Sequence, residues 1–166
     1  MSMSRFFSKR FGSLEPYVPG EQPQNRKYIK LNTNESPFQP SPEVIKAING
    51  EAEALNLYPD PECGLLCEEL ADYYDVSKEN IFVGNGSDEV LAFLFMAFCD
   101  KDTGACYPSV SYGFYRVYCE LCCISGRAVP LNPDFTINPA DYFNSGRTVF
   151  IANPNAPTGI ALSLNE

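Results

Sequence analysis

Three short segments hold the residue types that could do chemistry. The first is Gly84-Asn85-Gly86-Ser87-Asp88-Glu89. Glycines let the main chain approach an anion closely. The start of a following helix adds unpartnered N–H groups at the positive end of its dipole, with the Ser87 hydroxyl beside them, so phosphate is the natural guest. The same residues would equally make an N-capped helix after a tight turn, with Ser87 or Asp88 as cap. Glu89 stands where the dinucleotide fingerprint needs its third glycine, and no lysine follows as a P-loop requires. The second segment, Pro108-Ser-Val-Ser-Tyr-Gly-Phe-Tyr115, sets Tyr112 at a strand-to-helix junction, where its ring offers a face to a flat π-deficient ligand. In a chain with 10 Tyr and 12 Phe, it would serve as well as a core aromatic. The third, Asn153-Pro-Asn-Ala-Pro-Thr-Gly159, directly follows the β-rich run Thr148-Val-Phe-Ile151. Its prolines, asparagines and glycine fix either a plain turn or an irregular loop at the carboxyl end of a strand, where ligands of open α/β sheets bind.

Other chemistries drop out by composition. The 166 residues include no His, which removes Ser-His and Cys-His nucleophile pairs, His-ligated metals and imidazole acid–base work. Seven cysteines, Cys63, Cys67, Cys99, Cys106, Cys119, Cys122 and Cys123, are an odd number without a paired zinc spacing; only Cys119 and Cys122 read C-x-x-C. They are expected to be buried, reduced thiols of a cytoplasmic protein. The net charge of −9 opposes nucleic acid and anionic membrane as partners.

The elements that must position these segments follow from pattern. Phe11 to Pro42 is rich in Pro, Gly, Gln and Asn and reads as an extended arm, residues 1–40 in the division adopted here, with 41–166 as the start of a larger domain. Ser41 caps a helix with Pro42 first, an apolar stripe of Val44, Ile45 and Ile48, and an end at Asn49-Gly50. Leu65 to Tyr74 is amphipathic at helical spacing. Strands are expected at Ile81–Val83, Ala105–Tyr107, Arg127–Leu131 and Arg147–Ala152, with a buried helix over Val90–Cys99 and a helix over Tyr112–Leu121. Strands alternating with helices define an α/β domain with a mostly parallel sheet. The run Val90–Cys99 is too short for a bilayer, which takes about 20 residues. The basic start, Met1 to Arg10, faintly resembles an organellar transit peptide. The final Ser163-x-x-Glu166 is a capping box announcing a helix, as a truncated chain would.

Six segments in order give the chain a family resemblance: Leu14-Glu-Pro-Tyr-Val-Pro-Gly20, Lys30-Leu-Asn-Thr-Asn-Glu-Ser-Pro37, Leu57-Tyr-Pro-Asp-Pro61, the Gly84–Glu89 turn, Ser111-Tyr-Gly-Phe-Tyr115 and Asn153–Gly159. Together they resemble pyridoxal-phosphate aminotransferases of fold type I, and within them the histidinol-phosphate aminotransferases. The resemblance also accounts for the basic N-terminus without a transit peptide. It implies a fold type I large domain, a mostly parallel sheet with helices on both faces, incomplete and preceded by the arm. Its cofactor would be pyridoxal 5'-phosphate, its phosphate held at Gly86, Ser87, Asp88 and Glu89 and its ring stacked on Tyr112. Tyr58 would reach the phosphate of the neighbouring subunit in a homodimer, and Asn34 and Glu35 would lie in an arm closing over substrate. The commoner family form has Asn before Pro-Thr-Gly, touching the ring hydroxyl; here Ala156 stands there and Asn155 is the candidate substitute.

The implied reaction is amino transfer between histidinol phosphate or imidazole-acetol phosphate and 2-oxoglutarate or glutamate, in histidine biosynthesis. Lys9, Lys27, Lys30, Lys46, Lys78 and Lys101 all lie outside the family's Ser-Lys context. The expectation is therefore a chain without its Schiff-base lysine, with no catalytic residue of its own and inactive alone. The alternatives are a related enzyme such as a threonine-phosphate decarboxylase, a non-catalytic interaction fragment, or a nucleotide-binding module resting on the glycine turn.

Overall fold

A computed structural model describes residues 5–8, 11–12, 25–26 and 28–166. The segment Leu14–Gly20, the lysines Lys9 and Lys27, and most of the basic N-terminus lie outside the described residues. The chain divides into two compact units, Pro16–Val83 in one and Gly84–Glu166 with Met1–Glu15 in the other. The boundary falls just before the glycine turn, and residues on both sides of position 40 belong to the first of these units.

In the first unit, helix α1 spans Pro42–Glu51, and the Ser41 hydroxyl accepts the Val44 N–H at 3.4 Å. It runs through Asn49-Gly50, where the sequence suggested a stop, and Val44, Ile45 and Ile48 stay exposed. Helix α2, Gly64–Tyr74, begins at Cys63 in the left-handed region, φ 50°. Asp60 organises that start. Its carboxylate accepts Gly64 N–H at 2.7 Å and Glu62 N–H at 3.1 Å, and these hydrogen bonds hold its pKa below the usual carboxylate value. Lys78 returns onto the helix through Glu68, 2.7 Å away. In the arm, the described stretch is not uniformly extended: Thr33 and Asn34 take φ 64° and 51°.

The expected strand at Ile81–Val83 is a correction. Ile81 is extended, φ −105° and ψ 127°, yet the segment joins no ladder among the described residues. A β-prone sequence becomes a strand only when a neighbour takes up its backbone groups.

The second unit holds the sheet, in the order β2-β1-β3, all parallel: β1 Ala105–Pro108, β2 Gly126–Val129 and β3 Thr148–Val149. Helix α3, Gly86–Phe98, precedes β1, and helix α4, Phe114–Cys122, forms the crossover between β1 and β2. β3 is shorter than the expected Arg147–Ala152, although Phe150 N–H still reaches the Cys106 carbonyl at 2.8 Å. Arg147 anchors its start by donating to the Ser125 carbonyl and hydroxyl at 3.0 and 3.1 Å.

Two apolar clusters pack this unit. Phe95 of α3 stacks on Phe150, centroids 4.0 Å apart and planes 11° from parallel, with Tyr115, Tyr118, Cys119 and Ala105 around them. Cys106, Val129, Ile137 and Tyr142 form the other, and the Tyr142 hydroxyl is buried without a hydrogen-bond partner among the described residues. The helix expected to be buried is only partly so: Phe95 is enclosed, whereas Phe93, Met96 and Phe98 are exposed. The cysteines also divide. Cys67, Cys106 and Cys119 are buried and Cys99 and Cys122 half-buried, but Cys63 and Cys123 are exposed; all are free thiols. The second pair sits where helices end or begin in the left-handed region, Cys63 before α2 and Cys123 after α4, positions that project outward.

At Ser163 the capping-box contact forms. Glu166 accepts from the Ser163 N–H at 3.0 Å and hydroxyl at 2.9 Å, which lowers the carboxyl pKa. No helix among the described residues is long and apolar enough to cross a membrane.

Candidate cofactor cleft

The three segments singled out by residue type meet in the second unit. A cavity of about 490 Å³ is lined by Ser87, Val90 and Leu91 of α3, Tyr112 and Tyr115 after β1, and Ile151, Ala152 and Ala156 after β3. It lies beyond the carboxyl ends of two adjacent parallel strands, the position at which such sheets bind ligands.

One end is the start of α3. Gly86 has φ +79°, a conformation side chains resist, and its N–H is held by the Gly84 carbonyl at 2.9 Å. The next N–H groups belong to the first helical turn, which has no carbonyl a turn behind to accept them, so they face outward at the positive end of the dipole beside the Ser87 hydroxyl. Both acids of this turn are engaged elsewhere. Glu89 caps the helix by accepting the Asn85 N–H at 2.6 Å. Asp88 accepts the Tyr112 hydroxyl at 2.6 Å, and the Tyr118 hydroxyl lies 2.9 Å from its carbonyl and 3.3 Å from its carboxylate. Burial, then the Asp88 charge and hydrogen bond, push the Tyr118 pKa up to about 12. Burial also raises that of Tyr115.

The Asp88 contact fixes the Tyr112 ring, which meets Tyr115 edge-on at 5.9 Å and stacks against Phe114 at 5.5 Å. On the other wall, Asn155 is the buried polar residue, 2% exposed. Its carboxamide accepts from the Ser111 hydroxyl at 2.8 Å and donates to the Val110 carbonyl at 2.9 Å and to Thr158 at 3.1 Å. These contacts tie the loop after β3 to the loop after β1. Of this loop, it is Ala156 that faces the cleft.

The remaining candidates lie in the first unit. Tyr58 is fully exposed. Asn34 is at φ 51°, and Glu35 accepts from Lys30 at 2.5 Å, which lowers the Glu35 pKa. Sequence reasoning missed Tyr115, Tyr118 and Ser111. The first two were signalled by their spacing: Tyr115 and Tyr118 lie three residues apart on α4, so one face of that helix carries both into the cluster with Phe95 of α3. No cluster of three or more metal-ligating residues exists among the described residues.

The donors and walls fit a flat ligand with an anionic tail: N–H groups and a hydroxyl at one end, an aromatic ring on one side, small apolar residues on the other. A cleft beyond the carboxyl ends of parallel strands is where α/β proteins commonly bind ligands, and the chain belongs to the aminotransferase class I and II family, which matches residues 26–166. It is 51% identical over 165 residues to the histidinol-phosphate aminotransferase of Brachyspira hyodysenteriae and 54% identical over 168 residues to that of a Marinomonas species; each match covers 99% of this chain and 47% of the relative. The chain therefore spans about half the length of the curated relatives it matches. Among solved structures, the histidinol-phosphate aminotransferase of Sinorhizobium meliloti in complex with pyridoxal-5'-phosphate is similar at TM-score 0.80 and 26% identity, over 94% of this chain and 44% of that one. The fold type I assignment stands on these neighbours and on the parallel sheet.

Proposed function

We propose that this chain supplies the phosphate- and ring-binding part of a pyridoxal-phosphate aminotransferase that exchanges the amino group of histidinol phosphate with 2-oxoglutarate, in the cytoplasm. The observation carrying the reading is the cleft itself, in which Ser87 at the α3 start, Tyr112 after β1 and Ala152 and Ala156 after β3 surround one cavity. The substrate is inferred from the relatives' names and from roughly half-identical sequence across the whole chain.

The residues divide the work. The first-turn N–H groups and the Ser87 hydroxyl bind the phosphate. Tyr112, immobilised by Asp88, presents a ring face to the pyridine. Ile151, Ala152 and Ala156 exclude water from the opposite face. When bound, pyridoxal phosphate supplies an aldehyde that condenses with amines and a ring that takes up electrons from the carbon being deprotonated. Tyr112 on one side and the loop after β3 on the other would hold such a ring, and Asn155 would act on it by fixing that loop.

Tyr58, Asn34 and Glu35 belong to the same proposal as residues of a homodimer, Tyr58 directed to the neighbouring subunit's phosphate and the other two to substrate. Their exposure leaves them available for it. None of the residues lining the cleft is a lysine. Among the described lysines, Lys30 and Lys78 are ion-paired in the first unit. The chain by itself is accordingly proposed to hold cofactor without turning substrate over.

The test is equilibrium dialysis of the purified chain against pyridoxal phosphate, followed by an assay with histidinol phosphate and 2-oxoglutarate. Retention of one cofactor per chain, displaced by inorganic phosphate, with no glutamate formed, is the expected result. No retention at millimolar cofactor overturns the site, and glutamate formation overturns the inactivity. The substrate is tested by whether the natural gene restores growth to a strain lacking its own histidinol-phosphate aminotransferase.

A further inference from the structure

Tyr118 lies outside the residues lining the cleft and is 5% exposed, yet its hydroxyl is directed at Asp88 on the neighbouring helix. Asp88 is the third residue of α3. A carboxylate there is attracted by the first-turn N–H groups and, folded back, would cover the donors that an incoming phosphate needs. Glu89 already occupies the Asn85 N–H. A second carboxylate folded back would place two negative charges where a dianion is to bind.

The structure holds Asp88 the other way. Its Oδ1 accepts the Tyr112 hydroxyl at 2.6 Å and lies 3.3 Å from the Tyr118 hydroxyl, whose proton is shared with the Asp88 carbonyl at 2.9 Å. Tyr118 cannot easily move: it packs on Phe95 at 5.2 Å and on Phe114 at 5.9 Å in the main aromatic cluster. Tyr112, the other hydroxyl on Asp88, is half-buried and lines the cleft.

We propose that Tyr118 is a positioning residue of the phosphate cradle, which keeps the Asp88 carboxylate on the Tyr112 hydroxyl and off the α3 N-terminus. The proposal rests on the cofactor site argued above. Its consequence is selective: Tyr118 favours ligands that carry the phosphate over the same ring without it.

The experiment compares retention of pyridoxal phosphate and of pyridoxal by equilibrium dialysis, for the natural protein, Tyr118→Phe, Tyr142→Phe, Asp88→Asn and the double variant Tyr118→Phe with Asp88→Asn. The ratio of the two affinities is the readout, because any loss of folded protein lowers both equally and cancels. Removing one charge-assisted hydrogen bond at Tyr118 is expected to lower the preference for the phosphate form about five- to tenfold. Tyr142→Phe, which removes a buried hydroxyl that has no partner, leaves the ratio unchanged. In the Asp88→Asn background, Tyr118→Phe changes it less than twofold, since no carboxylate remains to swing. An unchanged ratio in Tyr118→Phe, parallel loss of both ligands, or an undiminished effect with Asn at position 88 overturns the positioning role alone. A natural protein that retains neither ligand overturns the cofactor site and this role with it.

Discussion

Asn155 and Ser111, 44 residues apart in sequence, are joined through a 2.8 Å hydrogen bond in the interior, and this contact aligns the two loops that form opposite walls of the cleft. The Asn155 side chain spends its donors on Val110 and Thr158 and its acceptor on Ser111. The proposed role of Asn155 in ligand binding is therefore indirect.

Asn155→Ala leaves the Ser111 hydroxyl and the Val110 carbonyl unpaired, at a cost of about 2–4 kcal/mol. Urea denaturation should register that loss. Asn155→Asp keeps an acceptor for Ser111 but sets a buried carboxylate against the Val110 carbonyl, and should be destabilised at least as much as the alanine variant.

Tyr112 contributes a ring and a hydroxyl, and the two separate by substitution. Tyr112→Phe keeps the ring face but releases Asp88, so cofactor affinity should drop only severalfold. Tyr112→Ala also removes the stacking surface, worth a further ~0.5–1.5 kcal/mol beyond its buried area. Dialysis against pyridoxal phosphate ranks the two, and equal losses would reject a stacking role.

Gly86→Ala meets no atom within 4 Å of the added carbon, so its cost is conformational only, about 1–2 kcal/mol for a side chain at φ +79°. Gly84→Ala differs in kind. Its added carbon would lie 3.0 Å from a Val90 methyl and 3.2 Å from the Glu89 carboxylate, which displaces the cap on Asn85. Thermal melts should find both destabilised, with the larger change in α3 helicity for Gly84→Ala.

How much of this was legible in sequence depends on the distance over which each signal acts. Ser41 and Pro42 marked the start of α1 because capping is local, and the glycine turn, the Tyr112 segment and the Asn153–Gly159 loop stood out by residue type beside expected strands. Ile81–Val83 failed because a ladder needs a second strand, which no local pattern supplies. The even apolarity of Val90–Cys99 hid which face packs: Phe95 is enclosed and Phe93, two residues away, is not. Asn155 was expected only as a candidate contact to the ring hydroxyl, and its hydrogen bond to Ser111 depends on a partner in a different loop that its own segment does not reveal.

Alkaline pH should destabilise the second unit. Burial raises the Tyr118 and Tyr142 pKa values from 10.0 to about 12, and that of Cys119 from 9.0 to about 11. A folded pKa above the unfolded one means the protonated group stabilises the fold below the unfolded value and loses that contribution as pH climbs through the folded one. Stability is thus expected to hold up to pH 9, then fall through pH 9–11 for the thiol and pH 10–12 for the phenols. Tyrosinate absorbance should rise together with loss of helical signal, and an early rise with the fold intact would contradict the buried assignment.

Thiol accessibility gives an independent check. Cys63 and Cys123 should react first with a disulfide reagent under native conditions, and Cys67, Cys106 and Cys119 only on unfolding. Cys99, half-buried and with its pKa raised by burial, should react slowly in between. Mass spectrometry of the modified peptides identifies the order.

The packing of Phe95, Tyr115, Tyr118 and Tyr107 beside Tyr112 has an optical consequence. With no tryptophan in the chain, ultraviolet emission comes from tyrosine, and energy can pass between rings 5–6 Å apart before it is emitted. A ligand that absorbs in the near ultraviolet and enters between Tyr112 and Ala156 would drain that shared excitation, so the protein carries a built-in reporter of its own occupancy.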